Sequence, residues 1–175
     1  MVAGSHRDMK EEFQKWLVRQ SWTHFITIEP SPSLPLPQEE IERRLRTLEF
    51  EINKKYLKRS FPKWDDANKF WMMGFREGDG VAHQKHFHIL LHSPSVLHKK
   101  VWYGNVGADL QMGWIMLPSY HPNTGERLTM PPLHIQYVED VVASSIYSSK
   151  WWKRIEDGES WFFTTPPKKP MKVAA

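Results

Sequence analysis

The sequence predicts an α+β domain, a central antiparallel β-sheet of about five strands with helices packed against it. Three observations support this. Segments of helical and of strand-like apolar spacing mix along the chain in the order αβαββαβα. Two of the strands are joined by a glycine-containing connection, which pairs them as an antiparallel hairpin. The 175 residues suffice to bury one sizeable core as a single domain.

Residues 9–19, MKEEFQKWLVR, place Met9, Phe13, Trp16 and Leu17 on one side of a helix. SWTHFITIEP reads as a strand through Trp22, Phe25, Ile26 and Ile28, and it stops at Pro30. Residues 31–37, SPSLPLP, form a loop, because each proline fixes φ and removes a backbone donor. The clearest helix follows. Ile41, Leu45, Leu48, Ile52 and Tyr56 step by three and four, and acidic residues fill the first turn, where the helix dipole favours them.

FPKWDDAN is a loop. KFWMMGFREGDG is a strand that runs into a turn at Gly78, Asp79 and Gly80, and HFHILLH is the strand that returns. SVLHKKVWYGNV reads as a short helix, and GWIML, in the Gly-, Pro- and Asn-rich residues 104–131, as a short strand. PLHIQYV is a further strand. EDVVASSIYSSKWWKR is a helix with Val142, Ile146 and Tyr147 towards one side. Residues 1–166 are read as one domain and 167–175 as a flexible tail.

Composition narrows the function classes. With no cysteine, disulfides and thiolate metal sites are excluded. The N-terminus has no apolar signal region and no apolar run reaches bilayer length, so a cytoplasmic protein with no membrane attachment is expected. The net charge of +4 suits an anionic partner. Nine tryptophans among scattered Lys and Arg suit single-stranded nucleic acid, where bases stack on rings and cations track phosphates; core packing accounts for most of them.

The chemistry gathers in HQKHFHILLH. On a strand, His86 and His88 share one face while Phe87 and Ile89 enter the core on the other. Two imidazoles so placed can converge on one ion. Glu77 ends the preceding strand of the hairpin and lies across from the returning one, so it completes a His-His-Glu set with open positions. Nitrogen and carboxylate donors suit Mn²⁺ or Mg²⁺, and the imidazoles favour Mn²⁺; ligand type alone leaves Zn²⁺ open. Asp79 is a competing carboxylate inside the turn. His83 and His92 are expected to face solvent or DNA, although His92 shares the parity of the pair.

Further on, SSIYSSKWWKR places Tyr147 and Lys150 three residues apart, neighbours on one helix face. A phenol is a poor nucleophile until a cation stabilises its phenolate, and a lysine one turn away supplies that charge.

In this order FITIEP, HFH and YSSK resemble the three motifs of the HUH endonucleases, most closely the single-tyrosine replication initiators of rolling-circle plasmids and small phages. The resemblance covers roughly residues 22–150. It implies a ferredoxin-like (RRM-like) core, His86, His88 and Glu77 as metal ligands, Tyr147 as nucleophile and Lys150 as its assistant. It further implies nicking of single-stranded DNA at an origin or hairpin site. A 5′-phosphotyrosyl link and a free 3′-OH are formed, and a later 3′-OH can reverse the link. A monomer is expected, and since no helicase motif is found here it would borrow a host helicase or be the nicking domain of something larger. For DNA contacts the basic, aromatic segment after the tyrosine is expected to contribute Trp151, Trp152, Lys153 and Arg154.

Departures and rivals remain. The stretch between HFH and Tyr147 is long and contains GWIML–HPNTGERL. Single-strand DNA transposases share the three motifs, and the lysine of YSSK favours an initiator over them. A non-catalytic nucleic-acid binder would use Trp22, Phe25, Trp71, Phe75 and Phe87 as a stacking platform. That reading leaves Glu77, His86, His88, Tyr147 and Lys150 unexplained as a set.

Overall fold

The computed structural model describes residues 6–30, 38–58, 61, 65–78, 86–94, 103–120, 124–125, 127, 130–148 and 161–164. Helices α1 (His6–Val18), α2 (Gln38–Leu57), α3 (Tyr103–Met116) and α4 (Val141–Ser148) pack on a sheet of five strands. The strands are β1 (Trp22–Ile28), β2 (Trp71–Glu77), β3 (His86–His92), β4 (His134–Tyr137) and β5 (Trp161–Phe163). Their order is β4-β1-β3-β2-β5, and every pairing is antiparallel. The α+β class and the antiparallel sheet expected from the sequence are therefore present.

Alternation along the strands divides the core in two. Ile26, Ile28, Met72, Phe87, Ile89, Leu91 and Phe162 meet Ile41, Leu45, Leu48 and Ile52 of α2 and Val106, Leu110 and Trp114 of α3. The other face carries Trp71, Met73, Phe75 and Leu90, covered by Phe13 and Leu17 of α1, with Val141 of α4 at its margin. A bulge between Trp22 and His24 turns Trp22 onto this second face, where its indole N–H donates to Leu17 O at 2.7 Å.

Two polar latches tie β2 to α2. Asn53 donates to Phe70 O at 2.8 Å and accepts from Phe70 N at 2.9 Å, while Glu49 accepts from Met72 N at 3.1 Å. Pinned at its start, β2 carries Glu77 to a fixed place at its end.

One expectation requires correction. GWIML is not a strand but the last part of α3 and the residue after it; Val106, Leu110 and Trp114 bury themselves at four-residue spacing. The glycines of this helix dilute its apolar pattern, yet Gly113 lets α3 approach α2 closely, since a Cβ there would stand 2.7 Å from Leu48 Cδ2 and the leucine would have to shift. Only the last four residues of SVLHKKVWYGNV are described, and they open α3. The strand β5 was not foreseen, since three residues are too few to show alternation. In α4 the side shared by Val142, Ile146 and Tyr147 faces outward; Ser145 and Ser148 are the buried residues.

The aromatic platform is likewise corrected. Trp22, Trp71 and Phe75 lie buried beneath α1, and Phe87 lies buried on the opposite face, so none of the four offers a free ring to a base. Among the described residues no helix is long and apolar enough to cross a membrane.

Gly74 is the closest approach in the sheet. It pairs with Phe162, and a Cβ at this position would fall inside contact distance of three atoms of that ring. Gly74→Ala is expected to cost about 1–3 kcal/mol by overpacking, read as a lower urea midpoint at an unchanged m-value. An unchanged midpoint would mean that β5 shifts freely.

Candidate metal centre

The hairpin register sets the site. Glu77 pairs directly with His86, and Phe75 with His88, so both histidines and the carboxylate stand on the face that α1 and α4 cover. One carboxylate oxygen, Glu77 Oε2, lies 2.9 Å from His88 Nε2 and 3.3 Å from His86 Nε2. One donor atom from each of the three residues falls within 4.8 Å of the others. The side chains of His88 and Glu77 are 5% and 9% exposed, while that of His86 is 24% exposed, so the group opens towards solvent on the His86 side.

These distances suit an ion. Bonds of about 2.1 Å place neighbouring donors roughly 3.0 Å apart on an octahedron and roughly 3.4 Å apart on a tetrahedron. The two nitrogen–oxygen separations, 2.9 and 3.3 Å, are close to that range, and three protein donors leave further positions for outer ligands. The set Glu77, His86 and His88 therefore fits a divalent metal.

The surroundings orient the ligands. Thr27 of β1 is the register partner of His88, and its Oγ1 lies 3.2 Å from His88 Nδ1. The ring of Phe25 lies 5.0 Å from that of His88 at 32°. The two histidine rings are 4.8 Å apart and nearly perpendicular, which aims both Nε2 atoms at Glu77 without stacking.

Tyr147 comes from α4. Val138 N donates to Thr23 O at 2.9 Å as the chain leaves β4. Asp140 then caps the helix by accepting from Ala143 N at 2.9 Å. Two turns later the ring of Tyr147 lies 5.1 Å from that of His88 and 6.0 Å from that of Phe25. The residue is 47% exposed. A tyrosine more than fifty positions downstream thus stands beside a metal-ligand candidate.

Four of the predicted site residues are therefore brought together: Glu77, His86, His88 and Tyr147. Lys150, Trp151, Trp152, Lys153 and Arg154 lie outside the described residues, as do Asp79 and His83. His92 corrects the expectation of a solvent- or DNA-facing side chain. It is buried, stacks on Trp71 at 5.1 Å, and its Nδ1 lies 3.1 Å from Lys69 O. Four residues of strand rise, about 13 Å, separate it from His88, too far for one ion.

Two neighbours of the site were not singled out from the sequence as part of it. Thr27 is one. His134 is the other, exposed on the edge strand β4 and paired with Thr27, which places it on the same sheet face. Both follow from the strand order, which no local pattern encodes.

No family model matches the chain, and no curated protein or solved structure matches it either.

Proposed function

We propose that this chain is a metal-dependent endonuclease of the HUH type that nicks and rejoins single-stranded DNA through Tyr147, as an initiator of rolling-circle replication of a plasmid or phage. One observation carries the reading: a half-exposed tyrosine ring sits 5.1 Å from a histidine of a compact His-His-Glu group on one sheet face. Purely structural histidines need no such neighbour, and a hydrolase that activates water needs no tyrosine.

In this reading Glu77, His86 and His88 hold Mn²⁺ or Mg²⁺, which when bound polarises the scissile phosphate and offsets its charge. Tyr147 gives up its phenolic proton to solvent, to which it is open, and its oxygen attacks phosphorus. The bond to the 3′ oxygen breaks as the new P–O bond forms, and the leaving oxygen takes up a proton. The products are a 5′-phosphotyrosyl chain and a free 3′-OH. The covalent bond keeps the phosphodiester energy, so a 3′-OH can reverse the step. Lys150 follows three residues further along the sequence and would stabilise the phenolate. Trp151, Trp152, Lys153 and Arg154 would hold flanking nucleotides.

Lys150 of YSSK favours a monomeric initiator over single-strand DNA transposases, which work as dimers whose tyrosine helix serves the partner, and the size of the active species separates the two. A host helicase would open the duplex.

The test uses a pool of single-stranded oligonucleotides with Mn²⁺, read as an SDS-resistant protein–DNA adduct. The adduct is expected with Mn²⁺ and is expected to vanish with chelator. If no oligonucleotide yields one, or if chelator leaves it unchanged, the reading fails.

A further inference from the structure

We propose that Thr27 is a positioning residue for the metal centre, acting through the far nitrogen of His88. The inference rests on the metal reading of Glu77, His86 and His88 and is independent of the DNA chemistry.

An imidazole binds an ion through a bare nitrogen, so its ring proton must sit on the other one. In His88 the nitrogen facing Glu77 is Nε2, at 2.9 Å, and the nitrogen facing Thr27 is Nδ1, with Oγ1 at 3.2 Å. When Nε2 holds an ion, Nδ1–H donates to the Thr27 hydroxyl. Without an ion, Nε2–H donates to the Glu77 carboxylate, which can only accept, and the hydroxyl donates to Nδ1 instead. A hydroxyl serves both states because it is both donor and acceptor. The His88 ring thus keeps one orientation through a change of proton position, and its Nε2 stays aimed at the oxygen that it shares with His86.

The geometry supports a dedicated contact. Thr27 lies directly opposite His88 in the β1–β3 register, and both sit on the site face. The His88 side chain is 5% exposed, so water has little access to replace this partner at Nδ1. A buried ring nitrogen without a partner would turn or tilt the imidazole. Phe25, tilted against the ring at 5.0 Å, limits rotation but offers no hydrogen bond.

The test compares Thr27→Val, which keeps the shape and loses the hydroxyl, with Thr27→Ser, which keeps the hydroxyl and loses the methyl. Mn²⁺ alone is titrated into each full-length protein, and the free aquo ion is followed by electron paramagnetic resonance. Melts in chelator confirm that both variants fold. Thr27→Val is expected to weaken Mn²⁺ binding about 10–100-fold, and Thr27→Ser to stay within about threefold of the unmodified chain. A packing role predicts the opposite order, with Ser the weaker binder. That order, or Val binding as tightly as Thr, overturns the proposal. If the unmodified chain binds no Mn²⁺, the metal reading falls and takes this one with it, an outcome distinct from equal affinities in all three.

Discussion

Tyr147→Phe is expected to abolish the DNA adduct, lowering its rate of formation by at least ~10⁴-fold, the order seen when a covalent nucleophile is removed from an enzyme. Mn²⁺ affinity should hardly change. Phenylalanine keeps the ring contacts with His88 and Phe25, and with them that packing of α4 over the site. The variant therefore separates chemistry from structure. Denaturing gels of oligonucleotide reactions give the adduct, and a Mn²⁺ titration gives the affinity. An undiminished adduct would place the nucleophile elsewhere. Three other tyrosines are poorly sited for it. Tyr137 pairs with His24 at the far end of β1, about three residues of strand from Thr27, and Tyr120 belongs to a bridge with Arg127 outside the sheet. Tyr56 donates to Asp109 on the α2–α3 side, and its burial there, with that carboxylate beside it, pushes its pKa above the ordinary phenol value.

How much of this site a sequence can reveal depends on how local each contact is. Glu77 and His86 are nine residues apart across one connection, so antiparallel pairing alone brings them opposite each other, and parity then places His88 on the same face. The long helix α2 was equally legible, because its apolar period runs unbroken over about four turns. The approach of Tyr147 to His88 is of another kind. It requires β4 to lie outside β1 and α4 to cross back over the face, and both are decisions of the whole chain. Only the resemblance of three ordered motifs suggested that meeting. Thr27 was hidden for the same reason, since a threonine on an apolar strand looks like an ordinary β-former until its neighbour is known. His92 shows the converse failure. It has the parity of the ligand pair, but parity carries no depth, and Trp22 and Trp71 close over that end of the sheet. The sequence of α3 misled through its glycines, which reduce apolar content on a helix that one of them, Gly113, lets lie close to Leu48 of α2.

Glu77→Gln should have the largest effect on metal binding, because its Oε2 is the atom that both histidines share. Glutamine keeps the shape and can still accept from one imidazole, so the fold should survive. It loses the negative charge that a divalent ion requires in a nearly dry site, where that charge acts at low effective dielectric. Mn²⁺ affinity is expected to fall at least ~100-fold, and the adduct with it, at the fixed low metal concentration that supports the unmodified chain. Thermal unfolding provides a readout that does not depend on DNA. An ion that binds only the folded chain stabilises it by about 2.7 kcal/mol at a hundredfold excess over Kd. For a domain of this size that is a rise of roughly 5–10 °C in Tm. The unmodified protein should show that rise, and Glu77→Gln should show almost none at the same concentration. Without metal the order should level or reverse. The variant no longer buries a carboxylate at the cost of its hydration, so its Tm in chelator should equal or exceed that of the unmodified chain. A Glu77→Gln protein that melts lower in chelator and gains the full rise with Mn²⁺ would make Glu77 a structural partner of His88 and leave the ion to other ligands.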